Sequence, residues 1–150
     1  MSKEQFDIKN AIKRLDIEEL NRMQTTMLSV FKEHDNIVLH SPTGSGKTLS
    51  FLLPILSGIS SEGTSIEAVI ITPSRELALQ IQDVCKKLQP LVRSICIYGG
   101  HNMKSELNDI ALSPQIIVAT PGRLDDHINR KTINLSETKY LVLDEYDKSL

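Results

Sequence analysis

The chain has 150 residues, 40% apolar and 24% charged, with a formal net charge of −2. That length holds one ordinary hydrophobic core, and the composition is that of a globular protein. With a slightly acidic balance, no apolar run near the roughly 20 residues of a membrane span and no signal-like start, it lacks a basic duplex-binding footprint and is expected in the cytoplasm.

Residues 7–15 and 22–33 read as two helices ahead of any strand. Residues 37–39, Ile-Val-Leu, form the first of five short apolar runs. The others are 68–71, 95–97, 116–119 and 140–143. Each is nearly continuous rather than alternating and rich in Ile and Val, which suits strands buried on both faces of a parallel sheet. Directly after the first run stands Ser41-Pro42-Thr43-Gly44-Ser45-Gly46-Lys47-Thr48, followed by helix-compatible residues 49–56. Strand, glycine-rich turn and helix make a phosphate cradle: successive backbone N–H groups curl around an anion, and the helix N-terminus adds its positive end. Lys47 would reach the β- and γ-phosphates and the Thr48 hydroxyl would bind Mg²⁺. The strict eight-residue pattern opens with Gly, and here Ser41 takes that place.

Residues 58–65 are a Ser/Gly/Glu surface loop. The second run leads into Thr72-Pro73-Ser74-Arg75. A helix follows, with Leu77, Ala78, Ile81, Val84, Cys85 and Leu88 on one face and Glu76, Gln80, Asp83 and Lys87 on the other. Cys85 and Cys96 have no neighbouring ligand pair and read as buried thiols. Gly99-Gly100 follows the third run and permits close backbone approach. The fourth run leads into Thr120-Pro121-Gly122-Arg123, which shares the design of Thr72-Pro73-Ser74-Arg75: Thr at the N-cap, Pro at the first helical position, an Arg within the first turn. Taken singly, each is a well-capped helix. As a set at one sheet edge, where open parallel sheets gather function, they suit a phosphate chain lying across the strand ends. The last run meets Asp144-Glu145-Tyr146-Asp147. Asp144 would give Mg²⁺ a second anchor through water, and Glu145 would orient or deprotonate an attacking water. Alternating strands and helices in this order predict an α/β fold: three layers, a mostly parallel central sheet and helices on both faces.

The ordered set Ser-Pro-Thr-Gly-Ser-Gly-Lys-Thr, Thr-Pro-Ser-Arg-Glu-Leu, Gly-Gly, Thr-Pro-Gly-Arg and Asp-Glu-Tyr-Asp resembles the first RecA-like domain of a DEAD-box RNA helicase, across the whole chain. The resemblance implies an ATP-dependent RNA helicase, with ATP and Mg²⁺ bound and RNA held through its backbone. Lys47, Asp144 and Glu145 would be catalytic. Phe6 would stack on adenine and Gln24 would read its edge, within adenine-recognition helices over residues 1–33. Ser41, Thr43, Gly44, Ser45, Gly46, Lys47 and Thr48 would hold the phosphates, Thr48 and Asp144 the metal. Pro73, Arg75, Gly99, Gly100, Thr120, Pro121, Gly122 and Arg123 would meet RNA.

There are two departures from the family pattern: Leu20-Asn21-Arg22-Met23 replaces the usual prolines before the glutamine, and Tyr146 stands where Ala is usual. The resemblance also implies a monomer, no membrane, a Ser-Ala-Thr strand beyond residue 150 and a second RecA-like domain with arginine fingers. A DNA-directed motor and a slowly hydrolysing RNA clamp are the competing readings. A nucleoside kinase or GTPase fits least, since no Asn-Lys-x-Asp sequence is present.

Overall fold

The structure, a computed structural model, describes residues 5–146. The chain divides into two compact units, one up to Gly58 and one from Ile59 onward.

The first unit holds three helices. α1 (Ile8–Lys13) is capped by Asp7, whose carboxylate accepts from the Asn10 backbone N–H at 3.2 Å, and it buries Ala11 and Ile12. α2 (Arg22–Glu33) opens on a reciprocal capping box. The Asn21 side chain accepts from the Gln24 N–H at 2.9 Å, and the Gln24 side chain accepts from the Asn21 N–H at 3.0 Å. Two of the N–H groups that a helix start leaves without partners are satisfied at once. α3 (Lys47–Gly58) packs against α2 and is apolar over most of its length, burying Leu49, Leu52, Leu53, Ile55 and Leu56. Pro54 sits inside α3, where it has no N–H to give the preceding turn.

Residues 37–39, expected as a strand, are not one. No ladder forms there among the described residues, and Val38 is 72% exposed. An apolar run becomes a strand only through hydrogen bonds to a neighbouring strand, which periodicity cannot supply.

The second unit alternates strand and helix: β1 (Ala68–Ile71), α4 (Arg75–Leu88), β2 (Ser94–Ile97), α5 (Met103–Ala111), β3 (Ile116–Ala119), α6 (Pro121–Asn129) and β4 (Tyr140–Leu143). The four strands form one parallel sheet in the order β2-β3-β1-β4. Ile70, Ile97, Ile116 and Ile117 are fully buried, as their continuous apolar runs require. Successive side chains alternate between faces. On one face Val69, Ile95, Ile97, Ile117 and Ala119 pack with Leu124 of α6. On the other, Cys96 meets α4, its thiol donating to the Ala78 carbonyl at 3.3 Å. Helices therefore cover both sides of this sheet.

Both cysteines are buried and reduced, and burial pushes their thiols up, Cys85 to about 11 and Cys96 to about 12. No helix among the described residues is long and apolar enough to cross a membrane.

α4 starts later than expected. Its N-cap is Ser74, whose hydroxyl accepts from the Leu77 N–H at 3.3 Å, so Pro73 precedes the helix. Thr72 is still part of the sheet: its N–H donates to the Ala119 carbonyl at 3.0 Å, and its buried hydroxyl has no partner. α6 does begin as expected, with Thr120 as N-cap and Pro121 first, but the Thr120 hydroxyl makes no capping bond.

Candidate functional site

In the first unit the phosphate-loop residues and Gln24 come together. Gly44 and Gly46 have φ of +79° and +87°, a backbone region that L side chains avoid. Ser41 and Ser45 join their hydroxyls at 2.8 Å across the loop. The loop then enters α3 at Lys47, placing the half-buried Lys47 and Thr48 in a helix's first turn, where N–H groups lack intrahelical acceptors. Gln24 is 5% exposed and donates from Nε2 to the Gly46 carbonyl at 3.2 Å. Asn21 donates from Nδ2 to the Ser45 carbonyl at 3.0 Å. The start of α2 is thereby bolted to the loop at two consecutive carbonyls. A Cβ on Gly46 would lie 2.5 Å from Gln24 Nε2, so this close approach depends on glycine. One amide hydrogen and one lone pair of Gln24 remain beyond these bonds. Phe6 lies half-buried just before Asp7, the cap of α1. Asn21 was not among the expected site residues, although Asn-x-x-Gln before an apolar pattern is a capping signature.

In the second unit the remaining residues share the C-terminal edge of the sheet. Ile97 pairs with Ala119, and Ile71 pairs with both Ala119 and Leu143, so the strand ends are level. The ladder continues one step past each end: Thr120 N–H to Ile97, Thr72 N–H to Ala119, and Asp144 N–H to Ile71 at 2.8 Å. Gly99-Gly100, Thr120–Arg123, Thr72–Arg75 and Asp144-Glu145 therefore emerge along one line, about 4.8 Å per strand. A Cβ on Gly99, Gly100 or Gly122 would meet nothing within 4 Å. Internal packing does not require glycine at these three positions, although Gly100, at φ +84°, needs it for its backbone.

Arg75 stands exposed at the start of α4, its Nε 3.2 Å from Glu76 Oε1. Glu76 is held below the usual carboxylate range, first by its own backbone N–H and then by Arg75. Glu145 has φ +50°, an uncommon conformation for a residue with a side chain and one that collects at functional sites. Asp147 lies outside the described residues. Among the described residues no three His, Cys, Asp or Glu side chains cluster to hold a metal.

Arg123 does not present its charge at the edge. Its Nε donates to Glu106 Oε1 at 2.7 Å, its Nη2 donates to the His101 carbonyl, and its side chain is 17% exposed. Glu106 is fully buried and accepts four donors. Arg123 Nε and His127 Nε2, at 2.9 Å, meet Oε1; the Tyr98 N–H and His101 Nδ1, each at 3.0 Å, meet Oε2. Burial pushes this carboxyl up, but bonds from His127, Arg123, His101 and the Tyr98 N–H outweigh it and hold it below the ordinary 4.5. His127 Nδ1 in turn meets the Thr132 hydroxyl at 2.6 Å, and the His101 ring stacks on Tyr98. Glu106 is the only buried residue of α5. An acidic residue in a polar helix reads as solvent-facing, which hid it from the sequence.

The DEAD/DEAH box helicase family profile matches residues 21–150. The chain is 42% identical over 142 residues to the ATP-dependent RNA helicase CshA of Limosilactobacillus reuteri, covering 93% of this chain and 29% of that protein. It is 40% identical over 147 residues to a probable ATP-dependent RNA helicase of Methanocaldococcus jannaschii, covering 96% and 40%. Among solved structures, a DEAD box protein from the hyperthermophile Methanococcus jannaschii superposes with a TM-score of 0.87 at 39% identity, covering 94% of this chain and 39% of that one. The yeast DEAD-box splicing factor Prp28 gives 0.82 at 30% identity, covering 93% and 35%. The chain thus spans 29% to 40% of the length of these four proteins. Its parallel sheet with flanking helices is the RecA-like fold of those neighbours, and with the profile running from the capping box of α2 to the end of the chain, this protein belongs to the DEAD/DEAH box helicase family.

Proposed function

We propose that the protein is an ATP-dependent RNA helicase, soluble and cytoplasmic, working as a monomer, in which residues 1–150 are part of the first RecA-like domain. A second RecA-like domain of the same protein would complete the site. The observation that carries this reading is the level sheet edge, where Gly99, Gly100 and Gly122 leave open space and the first turn of α6 lacks a side-chain cap. Unpartnered N–H groups beside open glycines suit a phosphodiester backbone approaching closely, and need no basic surface. Pro73, Arg75, Thr120 and Pro121 border that edge.

The phosphate loop supports the other half of the reading. Gly44 and Gly46 turn loop N–H groups toward an anion, Lys47 neutralises the β- and γ-phosphates, and the Thr48 hydroxyl and Asp144 carboxylate would hold Mg²⁺, which screens the phosphate charge. Glu145 orients the attacking water and takes its proton. Gln24 offers its remaining amide hydrogen and lone pair to the adenine edge, and Phe6 supplies a stacking face. Binding of ATP would close two domains around RNA, and hydrolysis would let them part.

The test is duplex unwinding by the full-length protein on matched RNA and DNA substrates, with Lys47→Ala and Glu145→Gln beside it. ATP-dependent opening of RNA, lost in both variants, is the expected result. Preference for DNA would replace this reading with a DNA motor. RNA trapped by Glu145→Gln without unwinding by wild type would favour a clamp. Residues 1–150 alone should hydrolyse ATP negligibly, because an arginine finger from another domain contributes about 10³–10⁵ in rate.

A further inference from the structure

We infer that Glu106 is a positioning residue for RNA, and that Arg123 is its clamp rather than a phosphate ligand; this rests on the RNA reading of the sheet edge given above. A carboxylate has about four lone-pair directions, and Glu106 has all four occupied by protein donors. Fully buried and saturated, it has nothing left for a metal, a water or a substrate. What it does is join two segments that are consecutive along the edge. Oε2 holds the segment entering Gly99-Gly100, through the Tyr98 N–H and the His101 ring. Oε1 holds α6, through Arg123 and His127. Arg123 then spans both segments, since its second donor goes to the His101 carbonyl.

The two stretches that leave open space for a backbone, Gly99-Gly100 and Thr120–Gly122, are thereby fixed to each other by one buried charge. Their uncharged N–H groups can meet a phosphate chain only while that spacing holds. A misplacement of about 1 Å at such a site is costly, because the donors act through geometry.

Phosphate contact and clamping predict different salt behaviour. Each cation that neutralises a phosphate of single-stranded nucleic acid adds about 0.7 to the slope of log affinity against log salt, whereas a positioning residue changes affinity and leaves the slope alone. The experiment is binding of a labelled single-stranded RNA to the full-length protein over a range of salt, with the KM for ATP measured in parallel. Glu106→Ala should weaken RNA binding about tenfold or more with the slope unchanged and the KM for ATP within about twofold. Arg123→Lys keeps the charge but loses the fork, and should weaken binding to a similar degree, again without a change of slope. If Glu106→Ala does not fold, Arg123→Lys carries the test alone. The inference is overturned if Arg123→Lys binds like wild type while Arg123→Gln lowers the slope by about 0.7, for then Arg123 touches phosphate. It is also overturned if a folded Glu106→Ala binds RNA normally. Absence of RNA binding by wild type, with ATP binding intact, would instead remove the RNA reading and this inference with it.

Discussion

Alanine at Gly46 should cost far more than alanine at Gly44, although the two glycines lie in one loop with nearly the same φ, +87° and +79°. Both replacements force a side chain into a left-handed backbone, at about 1 kcal/mol each. At Gly44 nothing lies within 4 Å of the new Cβ, so the backbone term is the whole cost. At Gly46 the new Cβ falls 2.5 Å from Gln24 Nε2 and 3.4 Å from Asn21 Nδ2. The Gln24 amide must swing away, losing its bond to the Gly46 carbonyl, worth about 1 kcal/mol, and disturbing the capping box, worth about another.

Gly46→Ala should therefore destabilise by about 3 kcal/mol against about 1 for Gly44→Ala. Urea denaturation followed by circular dichroism measures both, and a Gln24→Ala background supplies the cycle. There Gly46→Ala should fall back to about 1 kcal/mol, a coupling of about 2. Equal costs for the two glycines, or additivity with Gln24→Ala, would refute the claim that Gln24 occupies the space above Gly46.

Ser74→Ala should destabilise by about 1 kcal/mol through the lost cap of α4, while Thr72→Val should be neutral or stabilising because it removes a buried hydroxyl without a partner; thermal unfolding of both variants checks the corrected start of this helix. Glu106 has a depressed pKa in the folded state, so its stabilisation is complete above the ordinary value of 4.5 and is lost as pH falls through the lower folded value. Urea midpoints from about pH 6 down to about pH 3 should fall less steeply in Glu106→Gln than in wild type. Cys85 and Cys96, buried and raised to about 11 and about 12, should resist alkylation by iodoacetamide at about pH 8 until the chain is unfolded; mass spectrometry with and without denaturant would show otherwise if either is reactive.

Four of the five expected strands are present: in β1, β2 and β3 burial on both faces writes a nearly continuous apolar run, and burial needs no knowledge of the neighbour, whereas β4 carries an apolar run with no residue buried. Residues 37–39 carry the same apolar signal, yet a ladder depends on what lies alongside, which no local pattern records. The phosphate loop was legible because its glycines are demanded by backbone geometry. Thr72 and Thr120 looked alike in sequence, but the Thr72 N–H continues the ladder to Ala119 and delays its helix until Ser74. The sequence offers Arg123 as an RNA contact and hides its partner, Glu106, because the two lie 17 residues apart. Nothing in the composition of α5 announces that its one acidic side chain in the first turn faces inward.

β4 pairs on one side only among the described residues, with β1, and its Leu141 and Leu143 are 65% and 47% exposed. An edge strand that carries two exposed leucines is a template onto which a second chain can add a strand. Preparations of residues 1–150 should therefore be concentration-limited, self-associating through this edge well before any surface charge repels them, and a lysine at Leu141 would be the economical way to keep them monomeric.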